Sequence, residues 1–127
     1  MNTQANSLNW FEIPALDIQR SKKFYETIFK VSMEISKMED TEMAFFPWKP
    51  GTELAHGAIA KSPNHTPSVE GTVVYLNADP SLKVVVERIE AAGGKVMISH
   101  MNVGEHGHIA FMLDTEGNHV GLHANAE

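Results

Sequence analysis

The stretch His108–His123, HIAFMLDTEGNHVGLH, constrains this chain most. Two apolar runs, IAFML and HVGLH, flank the segment DTEGN. Asp, Asn and Gly favour turns, because they bond their own backbone or tolerate left-handed angles. Apolar runs on either side of such a turn predict a β-hairpin. A lone hairpin is marginal in water, so this one requires a larger sheet and a covering helix.

The preceding sequence supplies both, and does so twice. Leu8–Pro14, LNWFEIP, predicts a strand that Pro14 ends. Asp17 is placed to cap a helix over 17–29. Ile18, Ser21, Phe24, Tyr25, Ile28 and Phe29 fall on one helical face, while Arg20, Lys22 and Lys23 form a wet one. Strands are expected over Val31–Met38, Glu42–Trp48 and Leu54–Ala60. The breaker-rich segment KSPNHTPSVEG then reads as a linker. After it the order returns. Thr72–Ala78 is a strand, and Leu82, Val85, Val86 and Ile89 mark an amphipathic helix. Gly93-Gly94 stops that helix. Lys95–Ile98 is a strand, Gly104–Gly107 a loop, and the hairpin closes the chain.

Each half therefore reads strand, helix, strand, strand, strand. MAFFPW echoes IAFMLD, and AHGAIA lies where HVGLHA lies. The expected architecture is α+β: tandem βαβββ modules forming a curled mixed sheet around a cleft, with helices on the convex side. The 127 residues form one expected domain, with module one at about 8–61, a linker at about 62–70 and module two at about 71–124.

Composition narrows the partners. Sixteen acidic against ten basic residues give a net charge of −6. Nucleic acid and anionic membrane surfaces, which call for a basic patch, are not expected partners. Cysteine is absent, which excludes disulfides, thiolate metal sites and thiol nucleophiles. No run approaches the roughly 20 apolar residues of a membrane span. MNTQANSLNW has neither the basic nor the apolar region of a secretory leader, so a cytoplasmic location is expected.

The tandem order resembles the vicinal oxygen chelate superfamily, which includes glyoxalase I, extradiol dioxygenases and the bleomycin- and fosfomycin-resistance proteins. The resemblance spans about residues 8–124. It rests on Arg20-Ser21…Phe24-Tyr25, Ala91-Ala92-Gly93-Gly94-Lys95 and Asp114-x-Glu116-Gly117-Asn118. These are marks of a fold, not of a reaction. The resemblance implies a cleft, a homodimer and, in the metal-using members, ligands on the first and last strands of each module. At those positions this sequence offers Asn9 or Trp10, Ala58, Thr72 or Val74, and Gly121. None is a ligand of that kind, so no metal or other cofactor is expected.

Five residues are the candidate ligand-binding set. Alternation puts Trp10 and Glu12 on the face away from the helix, where a carboxylate could hold a polar ligand or act as a base. Trp48 follows Pro47 at the edge of an aromatic strand. His56 and His123 sit on the last strands of the two modules. The leading reading is a protein that binds a small organic molecule in its cleft. Two alternatives stand beside it. One is a lyase- or isomerase-type enzyme with an altered metal site built from His56, His123 and Glu12 or Glu53. The other is a non-catalytic homodimer. His119 and His123 lie about 13 Å apart along one strand, too far to share a metal. His65, His100, His106 and His108 are expected to be solvated.

Overall fold

A computed structural model describes residues 1–127. Eight strands and two helices follow the expected order twice. In the first half these are β1 (Trp10–Pro14), α1 (Ile18–Phe29), β2 (Glu34–Met38), β3 (Thr41–Phe45) and β4 (His56–Lys61). In the second they are β5 (Tyr75–Asn77), α2 (Leu82–Ile89), β6 (Lys95–Asn102), β7 (His108–Leu113) and β8 (His119–Ala124). Each half closes its own mixed four-stranded sheet, in the orders β1-β4-β3-β2 and β5-β8-β7-β6. In both, the first strand runs parallel to the last and the other pairings are antiparallel. The architecture is α+β with two βαβββ modules.

The helices form where capping and periodicity place them. The Asp17 carboxylate accepts the Arg20 amide at 3.0 Å, and the Ser81 hydroxyl accepts the Val84 amide at 3.4 Å. Ile18, Ser21, Phe24, Tyr25 and Ile28 are the buried face of α1; Leu82, Val85 and Ile89 are that of α2. Both faces join one core that contains Ile13, Ala44 and Ile59 from the first sheet and Ala110, Met112 and Leu122 from the second.

Strand ends depart from the sequence pattern for local reasons. The aromatic run of β3 stops at Phe45, because Phe46 turns into the core beside Tyr25, with ring centroids 5.4 Å apart. β5 is three residues, shorter than TVVYLNA suggests. β6 is longer than KVMI and continues to Asn102. Its register against β7 shifts twice, between Val96 and Ile98 and between Ile98 and Met101, which breaks the period-two pattern that would reveal it.

The modules are joined by the hairpin turn. Glu116, with a fully buried side chain, accepts the amides of Leu16 and Asp17, both at 2.8 Å, and the Arg20 guanidinium at 2.7 and 2.9 Å. Asn118 donates to the Pro14 carbonyl at 2.7 Å, and the buried Tyr25 hydroxyl donates to Asp114 at 2.7 Å. Arg20, read from sequence as part of the wet helix face, is half exposed yet anchors this contact.

Candidate functional site

In-register pairing shows which side chains share a face. In the first sheet Trp10 pairs with His56, Glu12 with Ala58, and Phe45 with Ala58. These residues face away from α1, opposite the core face of Ile13, Ala44 and Ile59. Aromatic contacts close the group. Trp10 lies 6.0 Å from Phe45 and 6.0 Å from His56, and Trp48 lies 5.4 Å from His56, centroid to centroid. The structure thus brings Trp10, Glu12, Trp48 and His56 together on one helix-free face. His123 stands apart from them. It lies on the second sheet, with its Nε2 2.5 Å from the His106 carbonyl oxygen.

The second sheet repeats the arrangement. Ala15 donates to the Ala60 carbonyl at 2.9 Å, and Ala78 donates to the His123 carbonyl at 2.7 Å. Counting from these equivalent bonds matches Ala58 with Gly121, His56 with His119, Phe45 with Phe111 and Trp10 with Val73. Val73, rather than Thr72 or Val74, therefore stands level with Trp10. His119 stacks on Phe111 at 5.0 Å, and Tyr75 packs edge-on to Phe111 at 5.6 Å. A Cβ at Gly121 would come within 2.5 Å of the Tyr75 ring, so the bare glycine is what lets that ring lie against β8.

This donor set does not fit the family's metal. Trp10, Ala58 and Gly121 on their strands, and Val73 just before β5, hold the positions concerned, and none offers a hard nitrogen or oxygen ligand. No three histidine or carboxylate side chains gather closely enough to hold an ion. The altered site built on His56, His123 and a glutamate is not assembled either. His56 is flanked by two indoles, and Glu12 is already engaged.

Glu12 is the most constrained group on the face. Its Oε1 lies 2.8 Å from His65 Nε2, and its Oε2 accepts the Trp10 indole N–H at 3.0 Å. The His65 bond lowers the Glu12 carboxyl below its ordinary range; burial opposes this, and the Trp10 bond adds to it. His65, expected to be solvated in the linker, is instead mostly covered and also meets the Ser62 hydroxyl at 2.6 Å through Nδ1. The sequence contained a signal for this: Ser62-Pro63-Asn64-His65 is a turn tetrapeptide directly after β4. His100 and His108, also expected in solvent, stack on each other with Nε2 and Nδ1 2.8 Å apart.

A cavity of about 610 Å³ opens where the first module meets β5. Phe11, Phe29, Phe46, Val74 and Leu76 supply apolar walls, and His56, Asn77 and Asp79 add polar groups. Of the five candidate residues only His56 lines it. Trp10 and Trp48 touch His56 from outside the wall.

Paired βαβββ modules with helix-free faces define a class, and the chain belongs to it. Residues 7–122 match the Glyoxalase/Bleomycin resistance protein/Dioxygenase superfamily. Among curated relatives, it is 29% identical over 115 residues to a glyoxylase-like domain-containing protein of Didymella fabae, covering 87% of this chain and 88% of that one. It is 27% identical over 116 residues to the putative glyoxylase CFP32 of Mycobacterium tuberculosis, covering 90% of this chain but 44% of that protein. Among solved structures, glyoxalase I of Zea mays superposes with a TM-score of 0.65 at 19% identity, over 94% of this chain and 45% of the maize chain. The trypanothione-dependent glyoxalase I of Leishmania major gives 0.67 at 13% identity, over 95% and 88%. The chain thus spans about half the length of the mycobacterial and maize proteins. The structural likenesses, at these identities, speak for the fold.

Proposed function

We propose that this protein binds a small, largely apolar or aromatic organic molecule between its first module and β5. The cavity there carries the reading. At about 610 Å³ it falls within the size of small-molecule sites, and its walls are mainly hydrophobic with a few polar groups for orientation. Its polar set is His56, Asn77, Asp79 and Thr72. That set suits a ligand with one or two hydrogen-bonding groups on an apolar body. The indoles of Trp10 and Trp48 against His56 make a built-in optical reporter.

The test is a thermal-shift screen of small aromatic and aliphatic compounds, followed by titration on tryptophan emission. Ala55→Trp, at an exposed position on the cavity wall, should weaken binding at least ~10-fold, equivalent to ~1.4 kcal/mol, while leaving the melting temperature unchanged. Either no stabilising compound, or undiminished binding in Ala55→Trp, defeats the proposal.

One observation favours a homodimer as a second feature. Each module leaves a helix-free face with large exposed side chains, Trp10 in the first and Tyr75, Ile98 and Met101 in the second. A second copy laid across these faces would cover them. Sedimentation equilibrium of the wild type and of Trp10→Ser reads this directly: a monomeric wild type refutes it.

A further inference from the structure

The turn after β4 carries an arrangement that the cavity does not use. Ser62 Oγ lies 2.6 Å from His65 Nδ1, His65 Nε2 lies 2.8 Å from Glu12 Oε1, and the Trp10 indole holds Glu12 Oε2 at 3.0 Å. Chemistry fixes the direction of each bond. An ionised Glu12 can only accept, so His65 Nε2 carries the proton and donates. In the neutral imidazole Nδ1 is then the acceptor. The Ser62 hydroxyl must donate to it, and its oxygen already accepts the Asn64 amide at 3.0 Å. The serine proton thus points at a base whose other nitrogen is oriented by a carboxylate. That is the order of roles that activates a hydroxyl for attack.

We propose that Ser62, His65 and Glu12 form a nucleophile, base and positioning carboxylate that cleave small esters by acyl transfer to Ser62. Space and charge for the substrate lie alongside. Ser62 and His65 line a separate cavity of about 420 Å³ with Lys37, Lys61 and the acidic turn residues Glu39 and Asp40. Lys37 reaches Glu42 at 4.0 Å, whereas Lys61 forms no ion pair and lines the same cavity as Ser62, where a positive charge favours a developing oxyanion. With acids and lysines mixed in one small cavity, the fitting substrate is a short neutral ester.

The reaction balances on these groups and water. Ser62 Oγ bonds to the ester carbonyl carbon while its proton passes to His65 Nδ1. The carbon–oxygen bond to the leaving group breaks, and the His65 proton goes to the departing alkoxide, releasing the alcohol. Water then attacks the acyl-serine, giving its proton to His65. The serine–acyl bond breaks, and Ser62 recovers its proton as the carboxylic acid leaves. Glu12 contacts no reacting atom; it holds His65 in the required tautomer and orientation.

The full chain is incubated with an alkyl fluorophosphonate, which phosphonylates an activated serine with loss of fluoride, and adducts are located by peptide mass spectrometry. Hydrolysis of p-nitrophenyl acetate is followed in parallel. The wild type should label at Ser62 and turn the ester over, and Ser62→Ala should abolish both. His65→Ala should slow labelling about 100-fold, within the usual range for a general base, and added imidazole should restore part of it. His65→Gln, which keeps a hydrogen-bonding side chain in the turn, serves if the alanine variant does not fold, with the same loss expected. Glu12→Asp should retain more of the rate than Glu12→Gln, because charge orients the imidazole; a purely structural contact would favour the isosteric amide. An unlabelled Ser62, labelling insensitive to both His65 variants, or a Glu12→Gln rate equal to or above that of Glu12→Asp overturns the assignment.

Discussion

Replacing Glu116 with glutamine should remove a large share of this protein's stability, and pH should reveal why. Burial by itself would raise the Glu116 carboxyl. The Arg20 guanidinium, the Asp17 amide, the Thr115 hydroxyl and the Leu16 amide outweigh it and bring the group from 4.5 down to about 2. The sign follows from linkage. The folded state holds the proton less tightly than the unfolded chain, so the contribution is complete above about 4.5 and lost as pH falls through about 2. A difference of about two and a half units corresponds to roughly 3–4 kcal/mol, at about 1.4 kcal/mol per unit. Glutamine keeps the shape but offers one acceptor oxygen to five donors, and turns an N–H toward Arg20 or a helix amide. Its cost at pH 7 should be about 3 kcal/mol, from the lost carboxylate and the amides left without a good acceptor, since the half-exposed Arg20 can turn to water. Urea unfolding of both proteins from pH 7 to pH 2 is the assay. The gap should hold down to about pH 4.5 and then narrow by up to about 1.4 kcal/mol per pH unit. A gap below ~0.5 kcal/mol at pH 7, within the range of an ordinary surface substitution, would refute the reasoning. So would a gap that does not narrow in acid.

Two further substitutions probe the parts that hold the site in place. A Cβ at Gly57 would lie 2.3 Å from the Phe11 carbonyl oxygen and 2.6 Å from its ring, so Gly57→Ala must push β1 off β4. It should destabilise by about 1–3 kcal/mol in urea unfolding and change tryptophan emission, because Trp10 and His56 ride on those strands. Tyr25→Phe removes the buried hydroxyl that donates to Asp114 at 2.7 Å and should cost about 1–3 kcal/mol by the same measurement. An unchanged midpoint in either variant counts against the contact concerned.

The elements were legible because they depend on local rules. Asp17 capped its helix, and the 18-21-24-25-28 spacing predicted the buried face of α1. Alternation in LNWFEIP correctly turned Trp10 and Glu12 away from the helix. Legibility failed where a partner distant in sequence decides the outcome. His65 reads as a linker residue until Glu12, 53 positions earlier, is brought beside it. The β6 strand hides behind two register shifts. The sequence pattern places His56 and His123 on the last strands of two modules, but that each module closes its own sheet, and that His119 rather than His123 stands level with His56, depends on strand pairing.

The residues that made the family recognisable stand apart from the helix-free faces. Arg20, Tyr25, Asp114, Glu116 and Asn118 all belong to one contact, in which the turn of the second module accepts the amides just before α1 and donates to the last carbonyl of β1. A helix N-terminus leaves amides that must find acceptors, and a buried carboxylate must find donors. Asp17 and Thr115 each meet one of these requirements from within their own module, and the Leu16 and Asp17 amides and the Arg20 guanidinium meet the rest across the two. That mutual dependence restricts which residues can stand in the clasp, whatever the protein binds. The helix-free faces carry no such requirement. Trp10 and Gly121 can stand at positions where the resemblance to the metal-using members implies ligands, without disturbing the clasp. Fold and chemistry are therefore written in separate sets of residues. The first set matches the family, and the second, Trp10, Glu12, His56, Ser62 and His65, must be read from this chain's own geometry.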